Sequence, residues 1–181
     1  MDTWKRIEPT IVTKIDYRNV TIKSFELPDS TTQIRATYGR EGSKAAATIA
    51  ITEEGQVVVA RQFRPGPEKV MDEIPGGEVD EGEDPQRAAE RELLEETGYT
   101  PGMVEFLGEF SRDGYMNGRW FYYLATGCRK IADQSLDENE FVDVHLLSIE
   151  EFVNNAKQGK MSDVAAVLAA YDELKKLERN L

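Results

Sequence analysis

Apolar and polar residues alternate along the first third of the chain, a pattern that predicts a series of β-strands. Pro28-Asp29-Ser30 forms a turn between two of them, and Gly55 can supply the positive φ that a tight turn needs. The run Val57-Val58-Val59-Ala60 is apolar at every position, which predicts a strand buried on both faces. The predicted strands are residues 11–16, 20–27, 31–38, 45–52 and 56–63.

A helical pattern follows from residue 84 onward. Asp84 can accept hydrogen bonds from the free amides of a first helical turn, and Pro85 suits the first helical position. Residues 86–97 contain neither Gly nor Pro, and Gly98 stands where a left-handed C-cap is expected. The sequence therefore predicts a well-delimited helix that ends at Thr97.

The remainder of the chain predicts more strands and two further helices. A polar acidic loop is predicted over residues 129–140, and a capping box begins a short helix at Ser148. One last helix is predicted over residues 163–176, with Val164, Leu168, Tyr171 and Leu174 on a single apolar stripe. The additional strands are residues 104–110, 119–126 and 141–147. This irregular order predicts an α/β (α+β) protein with helices layered on a mixed sheet.

Composition and charge narrow the class of protein. The chain has 181 residues, which suits a single domain over residues 1–181, and its formal net charge is −12. Such acidity disfavours nucleic-acid binding and suits a protein that holds divalent cations. Cys128 is the single cysteine and no apolar run approaches 18 residues, so a cytoplasmic protein without membrane contact is expected.

The predicted helix over residues 85–97 carries more carboxylates than its own stability favours. Glu92 lies three residues before Glu95 and four before Glu96, so the three side chains share one face. Like charges at these spacings destabilise a helix by roughly 0.2–0.5 kcal/mol per pair. One interpretation is a solvated acidic face. The other is a Mg²⁺ site, because Mg²⁺ takes oxygen ligands and would turn repulsion into coordination.

The spacing of the surrounding residues decides between these interpretations. Gly77 is followed by Glu83 after five residues, and seven more lead to Arg91-Glu92-Leu93, then Glu95-Glu96 and Gly98-Tyr99. The segment resembles the Nudix box, G-x5-E-x7-R-E-U-x-E-E-x-G-U, at every fixed identity. Tyr99 departs from the usual aliphatic residue, which we interpret as a packing variation.

The resemblance implies a Nudix fold, in which a mixed sheet is sandwiched between helices, and hydrolysis of nucleoside diphosphates linked to another moiety with Mg²⁺ or Mn²⁺. It implies that Glu92 and Glu96 are the principal metal ligands, together with the carbonyl of Gly76. Glu95 would assist in catalysis directly or through water, and Arg91 would orient the carboxylates of the box.

The catalytic base implied by the resemblance lies outside the box. In the branch that includes ADP-ribose pyrophosphatases, it belongs to an acidic loop before a late strand. The matching segment here is Leu136-Asp137-Glu138-Asn139-Glu140. Glu140 is the first choice because it adjoins the strand, and Glu138 is the second. Both could equally be ordinary loop acids.

Other segments resemble the nucleotide-sugar branch of the family. Gln62-Phe63-Arg64-Pro65 and Glu73-Ile74-Pro75-Gly76-Gly77 match its QFRP and E-x-P-x-G patterns. Arg64 is the expected phosphate contact, because a guanidinium forks onto two phosphate oxygens, and Glu73 would accept hydrogen bonds from the substrate's base or ribose.

Residues 1–43 correspond to the family's N-terminal strand region, which takes part in homodimer formation, with residues 44–181 as the catalytic core. Tyr17, with Arg18 beside it, is a candidate to stack on the base of the substrate. Packing in the core or in a dimer explains Tyr17 equally well.

One segment beyond the box bears on the preferred substrate. ADP-ribose-specific members carry a proline some fifteen residues beyond the box, and residues 111–115 contain none. The sequence therefore predicts a nucleoside diphosphate-sugar pyrophosphatase for ADP-ribose or GDP-mannose type substrates. The alternatives are a nucleoside triphosphate pool-cleaning pyrophosphohydrolase and a catalytically silent Nudix-fold binding module.

Overall fold

The computed structural model describes residues 3–15 and 18–179. Its strands are β1 (Lys5–Ile15), β2 (Arg18–Glu26), β3 (Thr32–Tyr38), β4 (Lys44–Thr52), β5 (Val57–Arg64), β6 (Lys69–Glu73), β7 (Gly76–Glu78), β8 (Tyr99–Thr100), β9 (Met103–Phe110), β10 (Arg119–Lys130) and β11 (Asp143–Leu147). Its helices are α1 (Pro85–Thr97), α2 (Ile149–Lys157), α3 (Val164–Ala169) and α4 (Tyr171–Arg179). None of the helices described is both long enough and apolar enough to span a bilayer.

The described chain forms two compact units. The first contains the residues up to Ser43 together with Ser111–Arg119. It is built on an antiparallel sheet in the order β1-β2-β3, in which Ile11 lies opposite Ile22 and Ile22 opposite Ala36. The second unit contains Lys44–Phe110 and the residues from Trp120 onward.

The second unit is organised around a mixed eight-stranded sheet. Its central order is β11-β5-β4-β10-β8, with β6 beside β5, β7 beside β4 and β9 beside β10. Alternate residues of β4 and β5 point to opposite faces, as the strand period of two requires. Ala50 and Val58 pack against Leu93 of α1, whereas Ile49 and Val59 belong to the core cluster on the side of α2, α3 and α4. This arrangement confirms the predicted fold of helices on both faces of a mixed sheet.

The local signals that predicted α1 operate as expected. The carboxylate of Asp84 accepts hydrogen bonds from the backbone amides of Gln86 and Arg87 at 3.0 and 3.4 Å. Pro85 occupies the first turn, and Gly98 takes a left-handed conformation with φ 77° while its amide donates to the Leu94 carbonyl at 2.8 Å. The capping residues at the two ends of this helix therefore determine where it begins and ends.

The prediction of one last helix over residues 163–176 is wrong. The chain breaks at Ala170 into α3 and α4, and the predicted apolar stripe does not form one buried face. Leu174 is fully buried, but Leu168 is 76% exposed. The core contacts come instead from Ala166 and Val167, because a break in the helix rotates the two segments into different registers. The structure also extends β10 to Lys130, so the acidic loop begins two residues later than predicted.

Candidate active site

The carboxylates of the box helix α1 lie at very different depths. Glu96 is 6% exposed and its carboxylate accepts a long hydrogen bond of 3.4 Å from the amide of Gly76. Glu92, one turn earlier, is also largely buried, whereas Glu95 extends toward the surface. The helix therefore aims two acids, Glu92 and Glu96, at the strand that begins with Gly76.

Burial and mutual repulsion change the acidity of these two groups. Burial raises the pKa of Glu96 to about 8, and the negative charges of Glu92 and Glu140 add to that effect. Burial likewise raises the pKa of Glu92, because it outweighs the hydrogen bond that Glu92 accepts from Arg91. Two buried acids side by side are costly as anions, and a cation between them removes that cost.

Arg91 holds the rest of the acidic cluster in place. Its guanidinium makes five hydrogen bonds. Two go to the carboxylate of Glu83 at 3.1 and 3.2 Å and one to the carbonyl of Glu78 at 3.1 Å. The remaining two join Nη1 to Glu92 at 2.8 Å and to Glu95 at 2.9 Å. These carboxylates, Glu83 foremost, raise the pKa of Arg91, so it remains a permanent cation within the cluster.

Two glycines allow close approaches to β7, one by the neighbouring strand β4 and one by helix α1. A Cβ at Gly77 would overlap the carboxylate of Glu92, and one at Gly76 would overlap Ala47 and the carbonyl of Ala46. Both glycines belong to β7, which pairs with β4. A side chain at Gly76 would therefore clash with the backbone of β4, whereas one at Gly77 would displace the Glu92 carboxylate of α1.

The acidic loop forms the other wall of the site. Residues 137–141 have no regular secondary structure beyond a turn, in which the Glu140 amide donates to the Asp137 carbonyl at 3.0 Å. The carboxylate of Glu140 accepts a hydrogen bond from the Asp137 amide at 3.2 Å. A cleft of about 470 Å³ contains Glu140 and Asp137 together with the box acids. Its lining residues are Gly76, Gly77, Glu78, Asp80, Arg91, Glu92, Glu95, Glu96, Asp137 and Glu140.

The sequence did not indicate how this loop is held. The side-chain amide of Gln134 donates to the carbonyl of Glu96 at 2.7 Å and to that of Val142 at 3.0 Å. The amide of Ser135 donates to the Glu95 carbonyl at 2.8 Å. A single glutamine in a polar segment carries no recognisable signal, since its partners are backbone carbonyls contributed by other elements.

Arg64 and Glu73 lie together on the neighbouring β5–β6 hairpin. The carboxylate of Glu73 is fully buried and accepts hydrogen bonds from the backbone amide of Ser162 at 3.0 Å and from its hydroxyl. The guanidinium of Arg64 is 3.6 Å from that carboxylate and 40% exposed. Arg64 is thus available to a ligand, while the described contacts of Glu73 are all within the protein.

Two predicted substrate contacts remain, Arg18 and Tyr17. Arg18 is the first residue of β2. Tyr17 lies outside the described residues, so its predicted role in stacking on a base stays a prediction.

The donor set of the cleft fits a hard divalent cation. Glu92, Glu95 and Glu96 provide oxygen atoms only, as Mg²⁺ or Mn²⁺ prefers, and the buried carboxylate of Glu96 accepts a single weak hydrogen bond from the described residues. Among the described residues no three acidic, histidine or cysteine side chains already converge on one point. The carboxylates of Glu92 and Glu95 both accept hydrogen bonds from Nη1 of Arg91.

Comparison with known proteins agrees with this geometry. Residues 42–168 match the NUDIX domain. The chain is 37% identical over 150 residues to the methanol dehydrogenase activator of Bacillus methanolicus, covering 82% of this chain and 80% of that protein. It is 30% identical, with the same coverage, to an ADP-ribose pyrophosphatase of Bacillus subtilis.

Structural comparison supports the same fold. A crystal structure of an ADP compounds hydrolase superposes with a TM-score of 0.81 at 17% identity, covering 99% of this chain and 98% of the other. At that identity the likeness concerns the fold alone. The domain match and the sequence relatives place the chain in the Nudix hydrolase family, in the branch that contains the proteins called ADP-ribose pyrophosphatases.

Proposed function

We propose that this protein hydrolyses the diphosphate of nucleoside diphosphate sugars of the ADP-ribose or GDP-mannose type, with Mg²⁺ or Mn²⁺ as cofactor. The observation that supports it best is the pair of buried acids on α1. Glu92 and Glu96 face each other's charge in a cleft, and burial raises the pKa of both. A protein that only displayed an acidic surface would leave these side chains in water.

The residues of the cleft divide the work of metal binding. Glu92 and Glu96 would hold the cation with the carbonyl of Gly76, and Glu95 would assist directly or through water. When bound, a divalent cation offsets the negative charge of the diphosphate and lowers the pKa of a coordinated water. Arg91 keeps the flanking carboxylates oriented through its hydrogen bonds to Glu83 and Glu95.

Glu140 is proposed as the general base. It shares the cleft with the metal-binding acids, and its charge acts on both Glu92 and Glu96. Glu140 would accept a proton from water as the water oxygen bonds to one phosphorus. The bridging oxygen then leaves with the other phosphorus, which yields a nucleoside monophosphate and a sugar phosphate. Glu138, on the same loop, is the second choice.

Substrate contacts are proposed outside the metal cluster. The half-exposed guanidinium of Arg64 suits a bidentate contact with phosphate. Glu73, Tyr17 and Arg18 remain proposed contacts for the base and ribose. The absence of proline from residues 111–115 is the reason to include GDP-mannose beside ADP-ribose.

A substrate panel with mass analysis of the products tests this function. ADP-ribose, GDP-mannose and dGTP are incubated separately with the protein, with and without Mg²⁺. Release of nucleoside monophosphate and sugar phosphate supports the proposal. Pyrophosphate release from dGTP alone would instead indicate pool cleaning. Binding of a non-hydrolysable diphosphate by calorimetry, without turnover of any substrate, would identify a silent binding module.

We also propose that the protein is a cytoplasmic homodimer formed through the β1–β3 sheet. One face of that sheet carries Ile11, Ile22 and Ala36 in direct cross-strand register, and Ile15 and Ile34 are about 60% exposed. An exposed apolar face of this kind suits a second copy of the chain. Light scattering should give twice the chain mass for wild type and the monomer mass for Ile34→Lys. A monomeric wild type would contradict the dimer and leave the proposed reaction untouched.

The single cysteine, Cys128, is buried and free, which supports the proposal of a reducing compartment such as the cytoplasm.

A further inference from the structure

The side chain of Gln134 connects the acidic loop to the box helix. Helix α1 ends at Thr97, and the last carbonyls of a helix have no partner within the helix. Two of these carbonyls, from Glu95 and Glu96, are bonded to the segment that leads into the loop. The backbone amide of Ser135 donates to the carbonyl of Glu95, and the side-chain amide of Gln134 donates to the carbonyl of Glu96 at 2.7 Å.

The same Gln134 amide also closes the far end of the loop. Its second hydrogen bond, at 3.0 Å, goes to the carbonyl of Val142, immediately before β11. The Nε2 atom has two N–H donors, so both bonds can form at once. The two ends of the segment 135–141 are therefore held together by Gln134. They lie beside the backbone carbonyl of Glu96, a proposed metal ligand.

We propose that Gln134 is a positioning residue, which sets the distance between the proposed base on the loop and the metal-binding acids on α1. This inference rests on the proposed function. Glu140 itself is exposed, and its hydrogen bonds to other described residues all lie within its own turn, with Asp137. Its placement across the cleft from Glu92 and Glu96 therefore depends on where the ends of the loop are fastened. Misplacement of a reacting group by about 1 Å can reduce a rate about 10²-fold.

The test uses variants that remove the donors and retain the length of the side chain. Gln134→Met is neutral, and Gln134→Glu places acceptors where the two carbonyls need donors. We expect kcat to fall about 10- to 100-fold for both variants, with Mg²⁺ affinity unchanged by calorimetry. Asp133→Ala is the matched control, because the Asp133 side chain makes no hydrogen bond among the described residues, and it should behave as wild type.

A double-mutant cycle separates positioning from a general loss of structure. The partner is whichever of Glu140→Gln and Glu138→Gln loses rate. If Gln134 acts through the base, Gln134→Met should cost less than about 3-fold in that background, since the positioned group is already absent. Equal costs in both backgrounds, or a wild-type kcat for Gln134→Met, would overturn the inference.

Amide hydrogen exchange supplies a readout that does not depend on turnover. Loss of the two bonds should speed exchange across residues 136–141 about 3- to 10-fold in Gln134→Met and leave α1 unchanged. Unchanged loop exchange would refute the anchoring even if no substrate were ever found. Absence of turnover in wild type, with faster loop exchange in the variant, would count against the proposed reaction and uphold the anchoring.

Discussion

The two walls of the cleft are held by different means. On the helix wall, Arg91 makes five hydrogen bonds and Glu96 is almost completely buried. On the loop wall, Glu140 is exposed, and among the described residues its carboxylate accepts one hydrogen bond, from the Asp137 amide at 3.2 Å. The helix wall is built to hold charge in a fixed place, whereas the loop wall depends on its attachment at Gln134.

This difference has a chemical logic. A metal ligand must stay in place although its neighbours repel it, which requires burial and a permanent cation such as Arg91. A general base must exchange protons with solvent, so an exposed carboxylate such as Glu140 is suited to that step. The contrast predicts that substitutions in the helix wall reduce metal affinity, whereas substitutions in the loop wall reduce kcat.

The largest effect should come from the two buried acids that are proposed as metal ligands. Glu96→Gln and Glu92→Gln remove a negative oxygen from the proposed metal site, and we expect kcat/KM to fall roughly 10³-fold or more. Additional Mg²⁺ should restore part of the rate, because the defect lies in binding. Steady-state kinetics over a Mg²⁺ titration measures both effects. Glu90→Gln, on the same helix but paired with Arg87, is the control. Full activity of Glu96→Gln would contradict the proposed role of the α1 acids in metal binding.

Substitutions in the loop wall should reduce the catalytic rate without weakening metal binding. Glu140→Gln is expected to lower kcat about 10²-fold or more, because it removes the proposed general base and leaves the proposed metal ligands intact. Its Mg²⁺ affinity, measured by calorimetry, should match that of wild type. Glu138→Gln serves as the comparison on the same loop. If Glu138→Gln loses the rate and Glu140→Gln retains it, the base is Glu138.

The metal-free protein should lose stability as the pH rises. The folded state raises the pKa of Glu96 to about 8, above the roughly 4.3 expected in an unfolded chain. Between these values the folded state binds the extra proton, so its stability is greatest at low pH and declines through that range. Thermal unfolding in chelator from pH 5 to pH 8 should show the decline, by at most a few kcal/mol. Glu96→Gln should flatten the profile; an equal slope in both proteins would assign it to other groups.

The smallest expected effect tests the spacing of the helix wall. In Gly77→Ala the new methyl group overlaps the Glu92 carboxylate, which must move aside. Since that carboxylate ends a flexible side chain, we expect about a 10-fold loss of Mg²⁺ affinity with the fold retained. Calorimetry measures the affinity. Gly114→Ala is the control, because nothing lies within 4 Å of its added Cβ. Identical affinities would show that the close approach is not needed.

The parts of the molecule that could be predicted from sequence are those with local causes. The bounds of α1 follow from Asp84, Pro85 and Gly98, each of which acts within one turn of its own position. The division of the last helical segment could not be predicted. Its break at Ala170 depends on how Ala166 and Leu174 pack against the core, and the apolar spacing of the segment also fits one continuous helix.

By itself the sequence determined the family, the box and the acids that belong to it, because the spacing of charged residues on one helix is a property of the chain. Tertiary structure decided how deeply each acid is buried and which groups face it. The pKa of Glu96, the contacts of Glu73 with Ser162 and the anchoring of the loop by Gln134 all depend on partners far away in sequence. Desolvation and hydrogen bonding act through space, so only the folded chain reveals them.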